Sequence, residues 1–187
     1  MVFFSPLAYP GYDPMSMAVS DLSAIGAPSR ELANRLNALF GPCGLISIMA
    51  LCVVIGESKI KSLRTGIYLF SLMEWICIVG YTMFPLNILS DGIGNTMHLV
   101  VTGLVVVLSV ISILLIIAGA KKANLNSLSI WGMACFVAML MGPIGTGLMP
   151  KEVFGIFERF STFSAVVFNA VLGVYLYKEK FKGEKEC

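Results

Sequence analysis

The chain has 187 residues, 57% of them hydrophobic and 13% charged, with a mean hydropathy of +0.86, whereas a soluble domain is nearer a quarter charged. That excludes an ordinary soluble domain and predicts an all-α integral membrane bundle. The formal net charge of +2 comes from small clusters between apolar blocks, with no basic stripe interleaved with aromatics, which excludes nucleic-acid binding.

In chain order, the start "MVFFSPLAYPGYDP" has no basic segment, and Pro6 and Pro10 break its apolar run, so it does not read as a signal peptide. Residues 1–31 hold too much Pro and Gly to span and are expected to form an outer arm. Ser29, after Pro28, is the expected N-cap of a helix that continues through "RELANRLNAL" into the first span. Five spans are predicted, at about 32–55, 65–84, 96–120, 128–148 and 153–177. Each has roughly the 20 apolar residues needed to cross hydrocarbon about 30 Å thick. The whole reads as a single transmembrane domain ending in a cytoplasmic tail, 178–187.

The basic residues set the orientation. The first connection carries Lys59, Lys61 and Arg64, the third Lys121 and Lys122, and the tail Lys178, Lys180, Lys182 and Lys185. The second connection, "PLNILSDGIGN", has none, and the fourth, "GLMPKE", has one lysine beside a glutamate. The expected amino terminus is therefore outside and the carboxyl terminus cytoplasmic, in a multi-pass protein of the cell membrane. The arm, the loop holding Asp91 and His98, and the turn before Glu158 and Arg159 then share the outer side.

Spacing gathers the polar residues onto helix faces. His98, Thr102, Ser109 and Ser112 share one face of the third span, Glu158, Thr162, Asn169 and Gly173 one face of the fifth, and Asn34, Asn37, Gly41 and Gly44 one face of the first. Most of these small and polar residues are read as packing and interhelical hydrogen bonding. Glu158, Arg159 and His98 differ, because an isolated buried charge costs several kcal/mol and needs a partner. A Glu158–Arg159 pair is expected, with Asp21 and Asp91 as further anions. Glu74 lies near the middle of the second span, where a charged acid costs roughly 2.5–3.5 kcal/mol and burial favours the neutral form. It reads either as a protonated group bonded to a neighbouring helix, with Asn169 as the partner, or as a proton-relay carboxyl.

Cys43, Cys52, Cys77 and Cys135 lie inside apolar blocks, Cys187 is the last residue, and no CxxC occurs. No disulfide framework is expected. With one histidine, no metal and no cofactor are expected. His98 as base, Asp91 or Glu158 as orienter, and Ser20, Ser90 or Ser161 as nucleophile is arithmetically possible, but no local nucleophile motif accompanies it.

Three stretches together resemble a known pattern: "YPGYDPMSMAVSDLSAIGAPSRELANRLNALFGPCGLISI", "MFPLNILSDGIGNTMHLVVTGL" and "GIFERFSTF". They are similar to the polytopic membrane proteins grouped as domain of unknown function 998. The resemblance implies a six-helix bundle whose first helix precedes the "YPGY" element, where this sequence has only "MVFFSPLA". It also implies a distant similarity to the FRAG/DRAM/Sfk group, which acts in lipid-anchor remodelling and membrane-lipid organisation. The matching polar positions are Ser20, Asp21, Asn37, Asp91, His98, Glu158 and Arg159.

Three functions remain open at this stage. The leading one is binding, with or without processing, of a membrane lipid or amphipathic ligand in an outward-facing polar pocket. There Arg159 would hold a headgroup, Asp21, Ser20, Asn37 and Thr162 would line the pocket, and His98, Asp91 and Glu158 would be the catalytic candidates. An enzyme of this kind would be a membrane lipid hydrolase or transferase. The second is a proton-coupled transporter or channel-like homo-oligomer working through Glu74 and Asn169. The third is a structural scaffold whose outer polar cluster ties the arm down.

Overall fold

A computed structural model describes residues 1–181 of the chain, so Lys182, Lys185 and Cys187 of the expected tail lie outside the described residues. The arm contains two short 3-10 turns, Ser5–Ala8 and Ser20–Ser23. Six α-helices follow: α1 (Arg30–Asn37), α2 (Phe40–Ile55), α3 (Lys61–Met83), α4 (Ile93–Lys122), α5 (Asn126–Leu148) and α6 (Phe154–Tyr177). With α1 and α2 counted together, five are long and apolar enough to cross a membrane.

The expected continuous helix from 32 to 55 is instead broken at Ala38 and Leu39. Pro42 accounts for the break, because in an unbroken helix its ring would meet the Ala38 carbonyl and it has no N–H to bond there. Ser29 does precede α1, but its hydroxyl does not cap it. It donates to the Leu22 carbonyl at 2.8 Å and pins the arm to the start of the helix. Two other helices begin earlier than hydropathy indicates. α3 starts at Lys61 and includes Arg64, which donates back to the Ser58 carbonyl at 3.1 Å beyond the end of α2. α4 starts at Ile93, where Asn95 in its first turn accepts from the Asn87 N–H at 2.9 Å and donates to the Asn87 carbonyl at 2.8 Å.

The helices close into a ring: α3 packs on α4, α4 on α5, α5 on α6, and α2 bridges α6 and α3. Small residues set the closest approaches, as in membrane bundles generally. A Cβ on Gly66 would lie 2.8 Å from the Ile116 backbone nitrogen, and one on Gly119 would strike the Leu63 backbone. At the other end, Gly142 and Gly145 of α5 leave room for Ser161 and Phe157 of α6.

The apolar core is not evenly distributed along the bundle. Ile48, Leu51, Ile55, Leu63, Ile67, Phe70, Ile113, Ile116, Leu128, Phe168 and Leu172 are almost fully buried, with Phe70 and Phe168 edge to face at 5.5 Å. These residues gather toward the end with the basic connections. At the arm end α2 exposes Phe40 and Ile46, α3 exposes Val79 and Met83, and α4 exposes Ile93 and Leu99.

Candidate functional site

The arm is fastened at three places. Ile25 donates to the Leu86 carbonyl at 2.7 Å and accepts from the Ile88 N–H at 3.1 Å, a single rung of parallel pairing with the α3–α4 connection. Gly26 follows with φ +93°, and a Cβ there would sit 2.5 Å from Leu89 Cγ. Further back, the Tyr12 hydroxyl donates to the Ala18 carbonyl at 2.9 Å and closes a loop of the arm. That loop sits on the first turns of α6. Gly155 permits the contact, since a Cβ there would lie 2.5 Å from the Met17 carbonyl and 2.7 Å from that of Pro14.

Charged groups fill this junction, but the expected direct Glu158–Arg159 pair does not form. Arg159 Nη1 donates to the carbonyls of Pro14 (2.6 Å), Met17 (2.9 Å) and Gly155 (2.7 Å), and Nη2 donates to the Tyr12 hydroxyl. Glu158 accepts from the Val19 N–H at 3.2 Å and the Thr162 hydroxyl at 3.1 Å. Asp21 accepts from the Ala18 N–H at 2.8 Å. The irregular chain has carbonyls and amides that no helix has consumed, and they solvate the charges in place of water.

Electrostatics at the arm follow from this burial. Desolvation raises the Asp21 carboxyl above its ordinary value, opposed by the Ala18 N–H and by Arg159. Desolvation also raises the Tyr12 phenol, against the pull of the guanidinium, so Tyr12 is a neutral donor to Ala18. Asp13, exposed nearby, is lowered by the Ser16 hydroxyl and the Met15 N–H that donate to it.

His98 belongs to a second cluster. It is 8% exposed, its ring lies 4.9 Å from that of Tyr81, and Nδ1 is 2.9 Å from the Phe84 carbonyl. A carbonyl can only accept, so Nδ1 carries a proton, and Nε2 is the ring nitrogen left for another partner. Of the two expected orienters, Asp91 and Glu158, the first is exposed in the loop, and His98 Nδ1 is held by the Phe84 carbonyl. Thr102 turns its hydroxyl back to the His98 carbonyl at 2.9 Å and receives the Tyr81 hydroxyl at 3.1 Å. Tyr81 also lies within electrostatic range of Glu158, which brings the two clusters into one neighbourhood.

The structure thus brings together Asp21, Glu158, Arg159 and Thr162, with His98 nearby, and leaves three expected members out: Asp91, exposed in the loop, Asn37 and Ser20. Asn37 is exposed on the last turn of α1. Ser20 opens a 3-10 turn, where its carbonyl accepts from Ser23. Two residues of the site were not singled out by the sequence: Tyr12, whose signal was a tyrosine in a Pro- and Gly-rich arm, and Tyr81, two helical turns beyond Glu74 on the same face of α3. In mid-membrane the expected partnership does form, with Asn169 Nδ2 donating to Glu74 Oε1 at 3.1 Å.

Beside Arg159 a groove of about 630 Å³ opens between α5 and α6. Ala134, Cys135 and Ala138 form one wall, Phe160, Phe163 and Val167 the other, and Pro14 and Met15 of the arm roof it. Its lining is apolar except for Arg159 and Ser164.

No curated protein and no solved structure matches the chain. A family model described as "Protein of unknown function (DUF998)" matches residues 1–175, nearly the whole chain, and the protein belongs to that family of multi-pass membrane proteins.

Proposed function

We propose that this protein binds a membrane lipid or a similar amphipathic ligand at its arm end, with the apolar chain in the α5–α6 groove and the headgroup at Arg159. The observation that carries the reading is the groove itself, of a size typical for small-molecule sites, apolar along its length and headed by a guanidinium. Arg159 has donors to spare. Three carbonyls share the two Nη1 hydrogens and Tyr12 takes one at Nη2, which leaves Nε–H and the second Nη2 hydrogen for a phosphate or carboxylate.

Binding is favoured over catalysis by the contacts of His98. A nucleophile would need to face Nε2, whereas the neighbouring hydroxyl, Thr102, is committed to the His98 backbone carbonyl. His98 is then a group that holds Phe84 and the second connection in place and has one nitrogen available to the ligand. The scaffold alternative corresponds to an empty groove, with the arm junction as the whole purpose of the cluster.

Native mass spectrometry of gently purified full-length protein tests the reading, comparing wild type with Ala138→Phe, which fills the groove while leaving Arg159 and the arm residues it bonds unsubstituted. Retention of a defined lipid by wild type and its loss in the variant are expected. If neither protein retains one, or both retain it equally, the reading fails.

The arm end is proposed to face the non-cytoplasmic side of the cell membrane, as the distribution of Lys and Arg requires. Asp91→Cys, in the exposed loop, is expected to react with an impermeant thiol reagent from outside. Labelling from the cytoplasmic side alone would reverse the topology.

A further inference from the structure

We propose that Glu74 and Asn169 form a proton-binding site in the middle of the membrane, in which the protonated Glu74 carboxyl donates to Asn169 Oδ1 while Asn169 Nδ2 donates to Glu74 Oε1. The proposal does not rest on the lipid groove, which lies on another face of α6.

The observation behind it is an imbalance. Asn169 is 9% exposed, its Nδ2 is bonded to Glu74, and its Oδ1 is buried with no partner. An orphaned buried acceptor costs about 1–3 kcal/mol and is rare in folded proteins. An amide and a carboxylic acid complement one another, each offering one donor and one acceptor on adjacent atoms. An amide and a carboxylate do not, because the carboxylate has nothing to give to Oδ1. Adding one proton to Glu74 supplies the missing donor, and it also removes a charge from the bundle interior, where an ionised acid is unfavourable.

Among the described residues the surroundings offer no cation to stabilise an ionised Glu74. On α3 the ionisable group whose field reaches it is the Cys77 thiol, one turn on. α2 brings only Cys43 and Cys52, and α5 only Cys135. α4 has no titratable residue between His98 and Lys121, and α6 has none between Arg159 and Tyr175. On α2 the pair is met by Gly44, where a Cβ would lie 3.4 Å from Asn169 Nδ2. The charge state of Glu74 therefore acts directly on the hydrogen bond that joins α3 to α6.

Infrared spectroscopy of the full chain in phosphatidylcholine vesicles tests the site. At neutral pH wild type is expected to show a carboxylic-acid C=O stretch that Glu74→Gln lacks, and that stretch is expected to move to higher frequency in Asn169→Leu as its hydrogen bond is lost. Glu74→Gln preserves both the donor and the acceptor, so its thermal midpoint should match wild type at neutral pH and escape the fall that wild type shows at alkaline pH. Should Asn169→Leu fail to fold, Asn169→Ser gives the same spectral comparison. The proposal is overturned if wild type shows no such band at neutral pH, or if the band survives Glu74→Gln or does not move on altering Asn169. Ala138→Phe is expected to leave the band in place, so this result and that of the groove experiment can fail separately.

Discussion

The two ends of the bundle solve different problems with the same helices. Toward the basic connections the interior is apolar and close-packed, with Phe70 against Phe168 and Gly66 and Gly119 bringing α3 onto α4. Toward the arm it carries Asp21, Glu158 and Arg159, and each is met by backbone of the irregular segment rather than by an opposite charge. A helix interior has no free N–H or C=O to offer, because its own ladder uses them. A Pro- and Gly-rich arm has many. The comparison teaches that the arm serves as fixed solvent for one end of the bundle, which lets that end keep charges and an open groove while the other end provides cohesion.

The largest effect should come from the cohesive end. Phe70→Ala opens a cavity beneath Phe168 and is expected to cost about 3 kcal/mol, read as a lower unfolding midpoint in bicelles with the arm still docked. At the arm end, Arg159→Gln removes a charge that serves four acceptors and should cost about 2 kcal/mol. Its distinguishing mark is rapid proteolysis within residues 1–29 while the helices remain resistant. Gly155→Ala lifts the same loop by its backbone without altering any charge, and overpacking of this kind costs about 1 kcal/mol or more. If Phe70→Ala released the arm as readily as Arg159→Gln does, the division into two ends would collapse.

What the sequence revealed follows the same division. The spans were legible because bilayer thickness imposes a length on apolar runs that needs no partner to recognise. The gathering of Asp21, His98, Glu158 and Arg159 at one end was legible from chain topology. The manner of their pairing was not. Arg159 was expected to meet Glu158, its sequence neighbour, but adjacent residues on a helix point about 100° apart, and the carbonyls of Pro14 and Met17 are far closer to the guanidinium. Asn37 lies on the expected helix, but it is exposed, and periodicity alone could not tell an exposed polar face from a buried one there. The Phe84 carbonyl that holds His98 could not have been found, since backbone acceptors carry no sequence signature. The Glu74–Asn169 contact was found because a mid-span acid leaves few candidates able to satisfy it.

Between the two ends, Asn169→Leu removes both hydrogen bonds of the proposed Glu74–Asn169 pair. Such bonds in membranes are worth about 0.6 kcal/mol each on average, so the unfolding midpoint should fall by less than with Phe70→Ala or Arg159→Gln. A loss as large as that of Arg159→Gln would mean that Glu74 behaves as a charge without a partner, which would place it with the arm end rather than with the neutral core.

The smallest effect divides the arm itself, through its two aspartates. Asp21 is half-buried and its carboxyl is raised, chiefly by desolvation. Its contribution to docking is therefore full below the ordinary aspartate value and is lost as pH rises through the raised one, since the undocked arm ionises first. Asp13 is exposed and lowered by the Ser16 hydroxyl and the Met15 N–H. Its contribution is full above the ordinary value and is lost as pH falls through the lowered one. Docking should weaken on both sides of that value, gently, because solvent screens both groups. Amide hydrogen exchange of the arm from about pH 3 to pH 6, corrected for the intrinsic rate, should show this. Asp21→Asn, whose amide oxygen can still accept from Ala18, should abolish the loss on the alkaline side alone, and Asp13→Asn the loss on the acid side alone. If Asp21→Asn left the profile unchanged, the Ala18 amide and Arg159 would together be compensating its burial in full, and the arm would be a better solvent for charge than its desolvation implies.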